Sequence, residues 1–444
     1  MASEKFRKFF SPQNFYEAQG PILRITFLMG LTPFTVVREG SDVALRCTLF
    51  GYLNSCIHVV IFCTCYGITF MNHESVTAYF FNTEISILGD FLQIVIGLAA
   101  LVLSFFYTIF RRNKLIHVFN SLTKTDEHLK EIGVEPNYNR TLFFNYMFIV
   151  TQVCVQVTYC GVSWTVASLS LSNARPSLTA WVSFFLPTII TSMLITLFLS
   201  LVYQAKHRFF LLNQILESLK AISMEKNWAR QNSVKVLKFQ KPQNMSSVFT
   251  NTNRHLPETI NRLARIQDEL CDSCNGIEEY FKIQMLTIVT IAFLMVVFDS
   301  YYVLETIFSN NFVHTSFSKI QFVLFFICQA ALNASGVLKI VIVCSLAKNE
   351  NEKIAANVHK LMNVNSYDDE IVKQLANLSM QLTHRKVMFT AYGFFNLDFT
   401  LLFTLIGAAT TYLVILVQFT LNQNELCGQK LINSTIASLG KNTY

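Results

Sequence analysis

Seven long apolar runs dominate the chain, at about 46–70, 87–110, 143–170, 179–203, 283–308, 320–346 and 399–419. A helix crosses a bilayer with about 20 mainly apolar residues, and only helices or closed barrels leave no backbone group unpaired in lipid. Each run is continuous, as from Ile94 to Phe110, where a barrel would use short alternating segments. The chain therefore reads as an all-α polytopic membrane protein with seven transmembrane helices. Its composition agrees: only 14% of residues are charged and 41 are Phe, whereas soluble domains carry roughly 25% charged residues. This excludes a soluble enzyme, a secreted disulfide scaffold and a disordered chain. The eleven cysteines are an odd, scattered set, mostly inside apolar runs, where a thiol serves as a small hydrophobe.

The basic residues set the orientation. Segments 1–46, 111–140, 204–282 and 348–386 hold 30 of the 35 Lys and Arg. The intervening segments hold Arg175, Lys319, Lys430 and Lys441, and Lys339 stands alone inside a span. Positive residues stay on the cytoplasmic side, so the expected topology is inverted relative to a G-protein-coupled receptor, with the N-terminus cytoplasmic and the C-terminus extracellular. The net charge of +7 reports this topology and implies no nucleic-acid partner. Of the glycosylation triplets, Asn433-Ser-Thr is the one placed outside. The run from Ile22 to Val37, broken by Arg24 and Pro33, reads as an interfacial or docked helix.

The expected organisation is a cytoplasmic N-terminal segment (1–45), spans one to four (46–203), and cytoplasmic helical extensions around a flexible loop (204–282). Spans five and six (283–346), cytoplasmic anchor helices (347–398), a last span (399–419) and an extracellular tail (420–444) follow. Phe209, Leu212, Ile215 and Leu219, then Ile260, Leu263, Ile266 and Leu270, recur at helical spacing. Spans four and five therefore continue beyond the membrane. Val387 to Phe419 is apolar over a length that would make about 50 Å of helix, too long for a core of about 30 Å. Asn396-Leu397-Asp398 divides it, with Asp398 as N-cap of the last span. Within that span Gly407, Thr411, Val414 and Gln418 form one stripe by helical spacing. On spacing alone this is a small-residue packing face or a pore lining.

Thr411-Tyr412, five hydrophobic residues, then Gln418-Phe419 resembles the signature of insect gustatory receptors. Glu278-Glu279-Tyr280-Phe281, Phe298-Asp299-Ser300-Tyr301-Tyr302, the segments from Gln381 to Ala391 and Ile406 to Thr410, and Gly30-Leu31-Thr32-Pro33-Phe34 are similar to the gustatory receptor twenty-eight branch. The resemblance covers the whole chain and is strongest after Cys271. It implies a chemosensory ligand-gated channel in the plasma membrane, non-selective among monovalent and divalent cations. It also implies a homotetramer, or a heteromer, in contact with membrane lipids. The pocket for a small-molecule tastant would open outward among spans two to six. The pore would be lined by Gly407, Thr411, Val414 and Gln418, with Phe419 as a closed-state gate. A secondary transporter and a G-protein-coupled chemoreceptor are the alternatives; a lack of internal repeats opposes the first and the inverted topology the second.

Polar and aromatic residues gather at the outer ends of the spans: Asp90 and Gln93, Tyr159 and Trp164, Trp181, then Asp299, Tyr301, Tyr302 and Glu305. Carboxylates at membrane depth face a cavity or a partner, or sit at the interface among an aromatic belt. As a pocket, this set favours a cationic or polyhydroxylated organic ligand. Cys271-Asp272-Ser273-Cys274 is a lone pair of thiols, better read as packing than as metal or redox chemistry. His384 beside Arg385 and Lys386 reads as an anchor or headgroup contact. No zinc-protease His pair, phosphate-cradling loop or nucleophile elbow occurs, so neither enzyme nor cofactor is expected.

Overall fold

A computed structural model describes residues 11–39, 42–72, 84–170, 177–231, 256–308, 319–364 and 368–418. Phe419 and Asn433 lie outside the described residues, as do the side chains of Asp90 and Gln93. In chain order the elements are α1 (Phe15–Leu28), β1 (Phe34–Glu39), β2 (Asp42–Cys47), α2 (Leu49–Met71), α3 (Glu84–Phe110), α4 (Arg112–Glu131) and α5 (Tyr138–Ser170). Then come α6 (Leu178–Gln231), α7 (Leu256–Phe308), α8 (Lys319–Val364), α9 (Asp369–His384), β3 (Thr390–Ala391) and β4 (Phe395–Asn396). The last helix is α10 (Phe399–Gln418). Among the described residues six helices are long and apolar enough to cross a membrane, or seven if α3 is counted with α4, from which it bends by 61°.

The N-terminal segment departs from the expected single helix over Ile22 to Val37. Its helix starts earlier, where Asn14 Oδ1 accepts from the Glu17 amide at 2.8 Å and Glu17 accepts from the Gln13 amide at 2.9 Å. It ends at Gly30, whose φ of 71° lets the Gly30 amide reach Phe27 O and the Leu31 amide reach Thr26 O. Phe34 to Glu39 is then a strand, paired antiparallel with Asp42 to Cys47. Gln19, Ser200 and Asn145 tie α1 to α6 and α5, with Ser200 Oγ 3.0 Å from Gln19 and 2.7 Å from Asn145.

Helices α6 and α7 run unbroken for 54 and 53 residues, about 80 Å each. Beyond their apolar parts they pack with α4, α8 and α9 into a second bundle. Phe209, Leu212, Ile215, Ile260, Leu263 and Ile266 are all buried there. Asp368 caps α9, and Arg385 just after it pairs with Asp268 and Asp272 of α7, each at 2.8 Å. The chain between α9 and α10 is not helical, contrary to an all-helical anchor over 347–398. It forms a hairpin whose three-residue turn, Tyr392 to Phe394, holds Tyr392 at φ 56° and Gly393 at φ 78°. The Thr390 hydroxyl fastens it to Glu278. Thr400's hydroxyl and amide bond Asp398 and hold its carboxyl below the usual range, so α10 starts on a charged cap.

His207 lies past the apolar part of α6, stacked against Phe210 with ring centroids 6.3 Å apart. Burial, then the adjacent Arg208, lower its pKa from 6.5 to about 4. The folded chain therefore leaves it neutral where the unfolded chain binds a proton. Stability present above pH 6.5 is lost as pH falls toward 4. The thermal midpoint of the purified protein should fall across that window, and His207→Phe should flatten the fall. An identical slope in the variant would remove His207 as the cause.

Candidate functional site

Between α2, α3, α5, α6, α7 and α8 the structure encloses a cavity of about 110 Å³. It lies in the apolar half of the bundle, between the midpoint of these helices and the end where α5 finishes and α6 begins. Tyr66, Tyr159, Phe184 and Phe298 give it aromatic walls, and Thr69, Ser183, Gln329 and Asn333 give it polar points. Thr69 Oγ1 and Ser183 Oγ are 3.2 Å apart and join α2 to α6 beside it. Pro187 within α6 removes one donor from that helix, and Thr191 Oγ1 donates to the Pro187 carbonyl at 2.7 Å. Apolar walls with a few fixed polar atoms suit a small organic ligand.

The expected site residues fall into two groups. Tyr159 lines the cavity. Trp164 and Trp181 stand behind it, 5.4 Å apart by centroid, with Trp181 stacked on Phe185 at 5.3 Å. Trp164 faces outward and Trp181 is buried. Tyr301 and Tyr302 belong to a second aromatic cluster with Phe298, Phe325 and Phe326, where Tyr302 and Phe326 are 5.1 Å apart. That cluster is tight: a Cβ on Gly89 of α3 would sit 2.7 Å from the Tyr302 hydroxyl. Glu305 is half-buried one turn further on. None of these five other residues lines the cavity itself.

Asp299 is completely buried, so it is no interface residue. Among the described residues neither of its carboxylate oxygens has a hydrogen-bond partner. The adjacent Phe298 forms cavity wall, and Tyr159 lies within electrostatic reach of the carboxylate. A buried acid without partners is costly and requires explanation by function. Sequence reasoning missed Tyr66, Thr69, Ser183, Gln329 and Asn333. For Gln329 and Asn333 a signal existed: two amides four residues apart, hence on one face, within an apolar run.

The other motifs take structural places. Cys271 and Cys274 are buried, and burial pushes the Cys271 thiol up to about 12, so it stays protonated and inert at neutral pH. Among the described residues no cluster of His, Cys, Asp or Glu could hold a metal ion.

On α10 the stripe of Gly407, Thr411, Val414 and Gln418 is exposed. The helix touches its own subunit through Leu402, Leu405, Leu413 and Leu416 on the other side. Only 6% of its apolar window is buried. A model of the family described as 7tm Chemosensory receptor matches residues 19–423. The chain belongs to that family. The receptor is 34% identical to gustatory receptor 28b of Drosophila melanogaster over 94% of its own length and 88% of that protein's. It is 32% identical to gustatory receptor 28a of the same fly over 94% and 95%. Its relatives are receptors, not enzymes. The receptor's fold is that of the insect olfactory receptor OR5 from Machilis hrabei, with a TM-score of 0.60 at 12% identity, over 91% of this chain and 98% of that one. OR5 in complex with eugenol matches with a TM-score of 0.58, over 90% and 97%.

Proposed function

We propose that the receptor is a ligand-gated cation channel of the plasma membrane, a homotetramer of inverted seven-helix subunits. The observation that carries this is α10. An apolar helix with so little of its surface buried in its own subunit needs lipid or other copies to cover it. Its least bulky, most polar stripe points away from the subunit, and fourfold assembly brings that stripe round an axis. Monovalent and divalent cations would pass there, beside Gly407, Thr411, Val414 and Gln418, with Phe419 as the closed-state gate. The joint bundle of α4, α9 and the extensions of α6 to α8 would be the cytoplasmic anchor, with the N-terminus on the same side and Asn433 outside.

The ligand is a small tastant held in the cavity, with Tyr159 in its wall; OR5, of the same fold, forms a complex with a small molecule, eugenol. Buried Asp299 supports Tyr159 from behind and biases the pocket toward ligands with donors. Asp90, Gln93, Trp164, Trp181, Tyr301, Tyr302 and Glu305 shape the surroundings. The test is electrical. With G-protein signalling blocked, heterologous cells expressing the receptor should give tastant-evoked cation currents. Asp299→Asn should raise the half-maximal concentration at least about tenfold, the effect of 1.4 kcal/mol, at normal surface level. Uptake of tastant without current would refute the channel. An unmoved dose–response curve would remove Asp299 from ligand recognition.

A further inference from the structure

A smaller chamber of about 50 Å³ adjoins the cavity, one to two helical turns closer to the extended bundle. The two share Thr188, Thr191, Ile291 and Asn333 in their linings, so they are neighbours across these four side chains. Gly336 of α8 comes close to Ile195 of α6 at its side, where an added Cβ would lie 3.3 Å from Ile195 Cδ1. Lys339 of α8 lines this chamber, and apart from Arg46 at the very start of the first run it is the only Lys or Arg within the seven apolar runs.

Among the described residues its one hydrogen-bond partner is Gln152 Oε1 of α5, at 3.3 Å. Among the described residues no carboxylate lines the chamber. Asp299 is no counter-ion, since on α7 it lies eight residues, about 12 Å along the helix, beyond Ile291. The hydroxyls here are engaged with backbone: Thr188 with Phe185 O at 2.7 Å, Thr191 with Pro187 O at 2.7 Å and Ser335 with Leu332 O at 2.8 Å. The ammonium, on a half-buried side chain, has three N–H donors, so among the described residues two of them lack a protein acceptor and no carboxylate balances the charge. A lysine near a membrane surface escapes by reaching toward the headgroups. Side chains in a helix lean toward the helix N-terminus. On α8 that direction leads from Lys339 toward Ser335 and Asn333, into the chamber and away from the nearer bundle end.

We propose that this chamber is a subsite for the negatively charged end of an amphipathic ligand, recognised by Lys339, while the aromatic cavity holds the apolar end. A carboxylate there supplies the acceptors and the charge that Lys339 lacks. Gln152 orients the ammonium, and Thr191, which lines both chambers, stands where such a ligand would cross from one to the other. This rests on the reading of the larger cavity as the tastant pocket, and it reverses the preference for cationic ligands expected from the acidic residues alone.

The test uses the purified full-length receptor in lipid nanodiscs, with thermal unfolding as the readout of binding. Phenylacetate, 3-phenylpropanoate and indole-3-acetate are each compared with the corresponding amide. At least one acid should half-saturate its upward shift at a concentration tenfold or more below its amide. Lys339→Gln should erase that preference and leave the amide's shift in place, whereas Lys339→Arg should keep it. Thr191→Phe, which places bulk between the two chambers, should erase it too and serves if Lys339→Gln does not fold. Acids that bind no better than their amides, or do not bind, overturn the proposal. So does a preference that survives Lys339→Gln or Thr191→Phe. Because binding is read without current, a receptor that binds acids but passes no current would contradict the channel and leave the subsite standing.

Discussion

Asp126→Ala is expected to cut the receptor's surface level to below about a tenth of wild type. Asp126 on α4 and Arg208 on α6 form a two-point pair, Nε to Oδ1 at 2.8 Å and Nη2 to Oδ2 at 2.7 Å. Each side chain is only 2% exposed. The Tyr138 hydroxyl of α5 donates to Asp126 Oδ2 at 3.2 Å, Arg208 Nη1 donates to Gln204 O at 2.9 Å, and the Phe15 ring of α1 lies 4.8 Å from the guanidinium. One ion pair thus holds four helices at the junction between the spans and the extended bundle. Removing one partner strands a buried charge, at a cost of about 3–5 kcal/mol, against a whole-domain stability of about 5–15 kcal/mol. Replacing both partners, as in Asp126→Leu with Arg208→Met, strands nothing and should restore most of the surface level. Wild-type levels in Asp126→Ala, or a double variant worse than the single, would show that the pair does not hold the junction.

Apolar run length made the spans legible, because lipid demands about 20 such residues whatever their neighbours. The periodic leucines and isoleucines from Phe209 to Leu270 exposed the extensions of α6 and α7 in the same way. Short-range geometry hid better. The β1–β2 hairpin was masked because Ile22 to Val37 is mostly apolar and carries its breaks at Arg24 and Pro33; Gly30 was the true helix stop, through its positive φ. The β3–β4 hairpin turns on Tyr392-Gly393, and a tyrosine in the left-handed region is not a residue that announces a turn. The Asp126–Arg208 pair joins positions 82 residues apart, which no local pattern encodes.

The clustering of polar and aromatic residues at these helix ends pointed to the part of the bundle where the cavity lies, but only Tyr159 among those named lines it. Amphipathic residues such as Trp181, Tyr301 and Tyr302 have two roles in a membrane protein, wall or buttress, and their type does not distinguish them. Threonines 69, 188 and 191 look like ordinary span residues until packing turns them toward the same space. Lys339 was visible from the start as a charge within a span. Its role became legible only when the chamber showed an amine facing polar groups and no acid.

The pore is the part of the account that a single subunit leaves most exposed to test. Gln418 lies at the far end of α10 from Asp398, 20 residues on, about 30 Å along the helix, and its side chain faces away from its subunit. In a tetramer a substitution there is repeated four times round the axis, so one unit of charge becomes a ring of four. Rings of fixed charge set local ion concentration and barrier height in a pore. Unitary conductance of the purified receptor in planar bilayers, at low ionic strength, is therefore the most direct measurement. Gln418→Glu should raise the sodium conductance, and Gln418→Lys should reduce it several-fold, with high salt narrowing both differences. Equal conductances in the two variants and wild type would contradict a pore lined by α10.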